Sequence, residues 1–302
     1  MKKIGVIYYS QSGRTEQVIQ QIKKEESKME QNVIFSFFPI KPKIPFEFPL
    51  SFSSFMGLFP GSILQKPTEL LLINHKNENF DLILLVYSVW YLSPSIPVSS
   101  FLQSPQAKEI IKDTPVVTVI TCRDMWIQAQ KDVSKAVTNV GSKVIGNVVL
   151  RDEHNSFQSL VTTLFWFLTG KNEKPFGIFP KPLLKEKQLG KISLLQGILM
   201  RRLKQNSLKE LQTEVIEKDL FLLDSYKIPI ESRIKKIFQL WAYFINSSRS
   251  PRSKKIRFLL FELYLVFAIV IIMPLAFVIS LLLFPFMQKK IRIMREKALM
   301  GK

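Results

Sequence analysis

The sequence predicts an α/β protein: a doubly wound, five-stranded parallel sheet, followed by a helical C-terminal region and a membrane segment. Three observations carry this expectation. Short apolar runs alternate with helix-period segments through the first 150 residues. A turn rich in hydroxyls, with one glycine, follows the first of these runs. Near the C-terminus, Leu263 to Met287 is an uncharged stretch of 25 residues.

The strands are expected at Ile4–Tyr9, Asn32–Phe37, Leu82–Tyr87, Val116–Thr121 and Val144–Leu150. Their near-continuous apolar character fits a sheet covered on both faces. Helical patterns fall between them at Thr15–Lys24, Ser99–Lys112 and Met125–Val140. The chain divides into an α/β domain over 1–155, a basic helical extension over 156–257 and a membrane segment with a basic tail over 258–302. An apolar insertion interrupts the first domain at 35–68. Its residues 35–60 hold eight Phe and five Pro, with only Lys41, Lys43 and Glu47 charged. The insertion reads either as a lid that admits lipid-like molecules or as simple core packing.

Composition narrows the function classes. One cysteine, Cys122, excludes an internal disulfide and an all-cysteine metal site, so a reducing compartment is the default. The two histidines, His75 and His154, stand apart, and no metal is expected. No signal peptide opens the sequence. The net charge of +19 is uneven: residues 1–150 hold 16 basic and 12 acidic side chains, residues 151–302 hold 27 and 12. Such an excess favours polyanions. No nucleic-acid motif is present and the charge adjoins the apolar stretch, so the expected partner is an anionic lipid surface, not nucleic acid. A stretch of 25 apolar residues exceeds the ~20 that cross a bilayer as a helix. Lys254, Lys255 and Arg257 precede it; Lys289, Lys290, Arg292, Arg295 and Lys297 follow. Pro274 and Pro285 leave a re-entrant hairpin open, with a single span preferred because turns exposed to lipid are costly. The expected location is the membrane, with the catalytic domain on its cytoplasmic side. Ile192–Lys204 and Ile234–Phe244 read as basic amphipathic helices, lying at the interface or packed on the domain.

Three loops would meet beyond the carboxyl ends of the strands, where doubly wound sheets bind ligands. The first is Ser10-Gln11-Ser12-Gly13-Arg14-Thr15. Hydroxyl donors, a glycine and a helix N-terminus suit a phosphate dianion. A plain cap at Ser12 is the alternative. Here the sequence resembles the flavodoxin family, whose phosphate loop reads Thr/Ser-x-Thr/Ser-Gly-x-Thr. That resemblance implies a flavodoxin-like fold and bound FMN. The second loop, from Ser88, Val89, Trp90 and Tyr91 to Pro97, would bring an aromatic ring to the flavin; closing the core is the alternative. The third, Thr121, Cys122, Arg123 and onward to Trp126, would meet the pyrimidine edge of the ring. Arg123 would steady negative charge there, or else pair with Asp124 or Glu109. Cys122 reads as a packed side chain.

The runs Val89–Pro97 and Thr118–Gln130 are also similar to those of flavodoxin-like dialkylresorcinol condensing enzymes (DarA-type). That resemblance implies an FMN-dependent oxidoreductase aromatising a lipid-like cyclic substrate, alongside a ketosynthase of the same pathway. Tyr91, Arg123 and His154 are the catalytic candidates. The competing readings are an NAD(P)H-quinone-type flavin reductase, a membrane-tethered flavodoxin carrying electrons, and a flavin-free membrane scaffold. Carriers are usually acidic, and this chain is basic.

Overall fold

Five of the apolar runs form the parallel strands of one sheet in a computed structural model. It describes residues 1–27, 33–75, 78–151, 154, 156–221, 223–224 and 227–272. The strands are β1 (Lys2–Tyr8), β2 (Val33–Pro39), β3 (Leu82–Trp90), β5 (Val116–Cys122) and β6 (Val144–Arg151). Their spatial order, β2-β1-β3-β5-β6, is the doubly wound order with a switch point between β1 and β3. β3 and β5 are covered on both faces, which explains their unbroken Leu, Ile and Val. Gly5 in β1 is there for space. A Cβ on it would stand 2.8 Å from Ile83 Cδ1 and 3.2 Å from the Phe80 ring.

The expected count of five strands needs correction, because the sheet has six. After β3 the chain reverses at once and Ser93–Pro94 (β4) pairs antiparallel with Val89 and Trp90. The two turn residues, Tyr91 and Leu92, have φ of 48° and 63°. Two central residues with positive φ match the twist of a tight hairpin, a role usually given to Asn-Gly. Nothing in Tyr-Leu announces it.

Helices cover both faces: α1 (Arg14–Glu26), α2 (Phe52–Ile63), α3 (Ile96–Leu102), α4 (Pro105–Ile111) and α5 (Ile127–Asn139). The single helix expected over Ser99–Lys112 is broken in two. Ser104 caps α4 by accepting from Ala107 N, and Pro105 takes its first position. α6 (Ser156–Thr169), α7 (Glu186–Lys204) and α8 (Leu211–Glu217) follow β6. α7 packs on α1 through Ile192, Leu195 and Leu199, and Gln196 Nε2 donates to Ile22 O at 3.0 Å. Val149 N of the edge strand β6 donates to Leu220 O at 3.0 Å, so residues near α8 shield that edge.

Two further helices, α9 (Lys227–Asn246) and α10 (Pro251–Phe267), follow. They form a second apolar cluster with α2, in which Phe59 stacks on Phe261 at 4.1 Å between ring centres. This corrects the expectation of a membrane segment and a membrane location. Among the described residues no helix is long and apolar enough to cross a membrane. The first part of the apolar stretch, from Leu263, continues a helix that opens with Lys254, Lys255 and Arg257 and carries Glu262. After Phe267 the coil widens into a π-helical turn, Ala268–Ile272. Residues 273–302, which hold the rest of that stretch, lie outside the described residues.

Candidate functional site

The ends of β1, β3 and β5 bring the three loops together at the switch point. Ser10–Thr15 turns from β1 into α1. Gly13, the N-cap of α1, has φ of 91°, which side chains with a Cβ tolerate poorly. It offers no side chain as a cap. Ser10 Oγ instead accepts the Glu16 N–H at 3.1 Å, and Gln11 Nε2 donates to Glu47 O at 2.7 Å, tying the loop to the insertion. Thr15 is buried, its Oγ1 3.4 Å from Thr121 Oγ1. Arg14 is buried as well, and its Nη2 donates to Cys122 O at 3.4 Å, so the first and third loops are joined. Ser12 is half-buried. Over the turn runs the segment before α7. Leu183 Cδ2 would lie 3.8 Å from a Cβ on Gly13, and the Gln17 amide exchanges hydrogen bonds with the Leu184 backbone.

The second loop is enclosed by the insertion. Ser88 O accepts from Ser95 N at 3.0 Å, and Val89 is half-buried. Trp90 is buried, with its ring edge-on to Tyr9 at 6.1 Å and to Phe46 at 5.6 Å. Tyr91 donates its hydroxyl to Phe55 O at 2.6 Å and packs on Phe55 and Phe59. Burial pushes the Tyr91 phenol well above its usual range, so it stays protonated at neutral pH.

In the third loop Thr121 and Cys122 are buried and Arg123 is half-buried. Around this loop Asp124 lies 2.6 Å from Lys227 Nζ, and Glu109 lies 3.9 Å from His75 Nε2. His154 is half-buried just past β6. Beside the first loop, on the β2 side, opens a cleft of about 490 Å³ lined by Tyr8, Tyr9, Pro39, Lys41, Phe46 and Leu71. Its size suits a small molecule.

Sequence reasoning missed a buried polar group behind these loops. Glu231 of α9 is fully buried and accepts from Gln128 N at 2.6 Å. Burial pushes its carboxyl up to about 7, opposed by the backbone N–H groups of Gln128 and Ile127. Lys235 is buried too; its Nζ donates to Leu92 O at 3.0 Å, to Asp132 at 3.1 Å and to Ser93 Oγ. Burial lowers the Lys235 ammonium and raises the Asp132 carboxyl, and each opposes the other's shift. Below them Tyr87 OH donates to Gln130 Oε1 at 2.8 Å. The available signal was the spacing Lys227, Glu231, Lys235, one polar stripe on a helix whose other faces carry apolar residues and lysines.

No protein-family model and no curated protein matches the chain. Among solved structures, it is similar to a flavoprotein from Lactobacillus acidophilus NCFM in complex with FMN. Identity is 23%, with 51% of this chain and 95% of that one covered and a TM-score of 0.40. A flavoprotein from Bacteroides eggerthii DSM 20697 gives 16%, 50% and 89%, with a TM-score of 0.38. The flavodoxin of Fusobacterium nucleatum bound to flavin mononucleotide gives 16%, 48% and 70%, with a TM-score of 0.31. At such values the fold rests on the strand order and the loops themselves.

Proposed function

We propose that the protein binds FMN and is an oxidoreductase acting on an apolar cyclic substrate, with aromatisation of a dialkylated cyclohexanedione as its reaction. The observation that carries this reading is the Ser10–Thr15 turn. It is a hydroxyl-bearing loop with a left-handed glycine at the N-terminus of α1, beside the switch point of the sheet. The donor set fits a phosphate monoester: Ser10 and Ser12 hydroxyls, backbone N–H groups of the turn, and the helix dipole. Thr15 and Arg14 brace that turn from below against Thr121 and Cys122. Aromatising a cyclohexanedione removes two hydrogens, and FMN, when bound, supplies the two-electron acceptor for them.

The surroundings favour an enzyme over a carrier. Trp90 and Tyr91 lie beneath the insertion, and Lys235 and Glu231 close the loops from the other side. A protein that passes electrons to another protein needs an exposed edge at those loops. Here the insertion and α9 pack against the second and third loops, leaving Ser88, Val89 and Arg123 half-buried, and would limit water at the reacting centre. The cleft beside the turn, where Tyr8, Tyr9, Phe46 and Leu71 meet Glu16, Lys41 and Lys43, gives a small substrate a place to approach.

Purified protein titrated with FMN tests the cofactor. We expect quenching of flavin fluorescence and absorption bands that persist through desalting. Their absence in the presence of excess FMN would sink the reading and favour a flavin-free scaffold. Anaerobic bleaching of those bands by a dialkylcyclohexanedione, and not by NADPH ahead of a quinone, tests the substrate.

A further inference from the structure

Lys227, Glu231 and Lys235 recur every fourth residue along α9 and so share one face. That face is turned into the protein. Lys227 Nζ lies 2.6 Å from Asp124 in the loop after β5 and 2.9 Å from Asp224. Glu231 takes the N–H of Gln128 in the first turn of α5, which follows the same loop. Lys235 reaches across to the hairpin after β3 and takes Leu92 O and Ser93 Oγ. Leu92 and Tyr91 carry the left-handed backbone of that hairpin, a conformation that persists only where its surroundings hold it. One face of one helix therefore fastens both loops that flank the candidate site, from a part of the chain outside the sheet.

We propose that this face of α9 is a clamp that holds the loops after β3 and β5 in fixed relation and thereby sets ligand affinity between them. The ligand part rests on the FMN reading above; the holding part does not. Lys227, Glu231 and Lys235 are positioning residues.

The clamp also responds to pH. The groups around Glu231 are Asp124 of the loop, Asp224 before α9, Tyr87 of β3, Arg151 of β6, and Lys227 and Lys235 of its own helix, Lys235 being paired with Asp132 of α5. Arg151 is neutralised by Asp224, Lys227 by Asp124 and Asp224, and Lys235 by Asp132. Glu231 Oε2 has no hydrogen-bond partner. Ionising Glu231 therefore puts a charge in a dry place that the Gln128 and Ile127 N–H groups and Lys235 offset only in part, and opening the clamp relieves it. The clamp is therefore tighter where buried Glu231 is protonated and looser where it is ionised.

Hydrogen exchange on the full chain, corrected for intrinsic rates, tests the holding. With Lys235→Met the backbone of residues 88–95, and with Lys227→Met that of residues 123–128, is expected to lose protection roughly tenfold, while β1 stays at wild-type rates. Wild-type protection in both loops would overturn the proposal. Should Lys235→Met fail to fold, Ser93→Ala removes only the gripped hydroxyl and reads the same hairpin. Wild-type FMN affinity is expected to fall roughly tenfold between pH 6 and 8, and Glu231→Gln to remove that pH dependence whatever its absolute affinity. A wild-type pH profile in Glu231→Gln overturns the charge control. Wild-type protein that binds no FMN at either pH defeats the functional reading instead, and the exchange result still decides the clamp.

Discussion

Single residues at this site are constrained more by backbone and burial than by contact. Gly13 meets open space where a side chain would go, with only Leu183 near, so its requirement is the φ of 91°. Gly13→Val forces a β-branched residue into that region. The expected cost is about 1–3 kcal/mol in urea unfolding, with FMN affinity weakened at least ~10-fold by titration. Glu231 makes a second prediction. Its folded carboxyl titrates near 7, above its ordinary value of 4.5, so the folded state holds the proton more tightly than the unfolded chain. The stability this contributes is present below pH 4.5 and is lost as pH rises through 7, by as much as ~3 kcal/mol. Asp132, also raised, adds in the same direction. Unfolding free energies measured from pH 5 to 8 should fall, and Glu231→Gln should flatten part of that fall. The Ser10–Thr15 turn is legible in the sequence because its residue types and its place after a strand coincide. Glu231 and Lys235 are not, because a charged residue on a helix usually extends into water and only the packing turns these two inward.

Helices and strands follow their local signals wherever packing does not intervene. The runs that became β3 and β5 announced themselves, since a strand buried on both faces has no polar side to alternate with. β4 did not, because Tyr91-Leu92 lacks the glycine or asparagine of its turn type. The break between α3 and α4 was written at Ser104-Pro105, a cap and a first-position proline inside an otherwise periodic stretch. Ser104→Ala should cost about 1 kcal/mol of stability, read by thermal or urea unfolding, with little effect on ligand binding. The apolar stretch from Leu263 misled for a different reason. Its described residues Leu263, Val266, Phe267, Val270 and Ile271 are exposed, but they only finish a helix that opens charged, and no described helix is long and apolar enough to cross a membrane. The start of α10 is charged, and Phe261 is buried against Phe59 and Trp241.

At the scale of the molecule, an α/β sheet carries a site whose walls come from elsewhere in the chain. The insertion crosses from β2 to the hairpin after β3, and α9 reaches both loops from the C-terminal side. Phe59, fully buried, touches Tyr91, Phe238 and Phe261 and so joins these parts. Phe59→Ala should cost about 3–5 kcal/mol and also raise exchange in the hairpin, coupling a stability measurement to a site measurement. Composition foresaw the Phe-rich insertion but not its partner, since nothing in residues 35–60 names a helix near residue 260.

That separation has a consequence in time. Phe59 leaves the ribosome long before Phe261, and at about 5–20 residues per second the wait is roughly 10–40 s. During it, the insertion has a sheet to fold against but no α9 or α10 to cover its far side. Met56, Phe59 and Ile63, all buried in the finished protein, are exposed in the nascent one. The far side of α2 is therefore an expected chaperone contact until the last helices emerge.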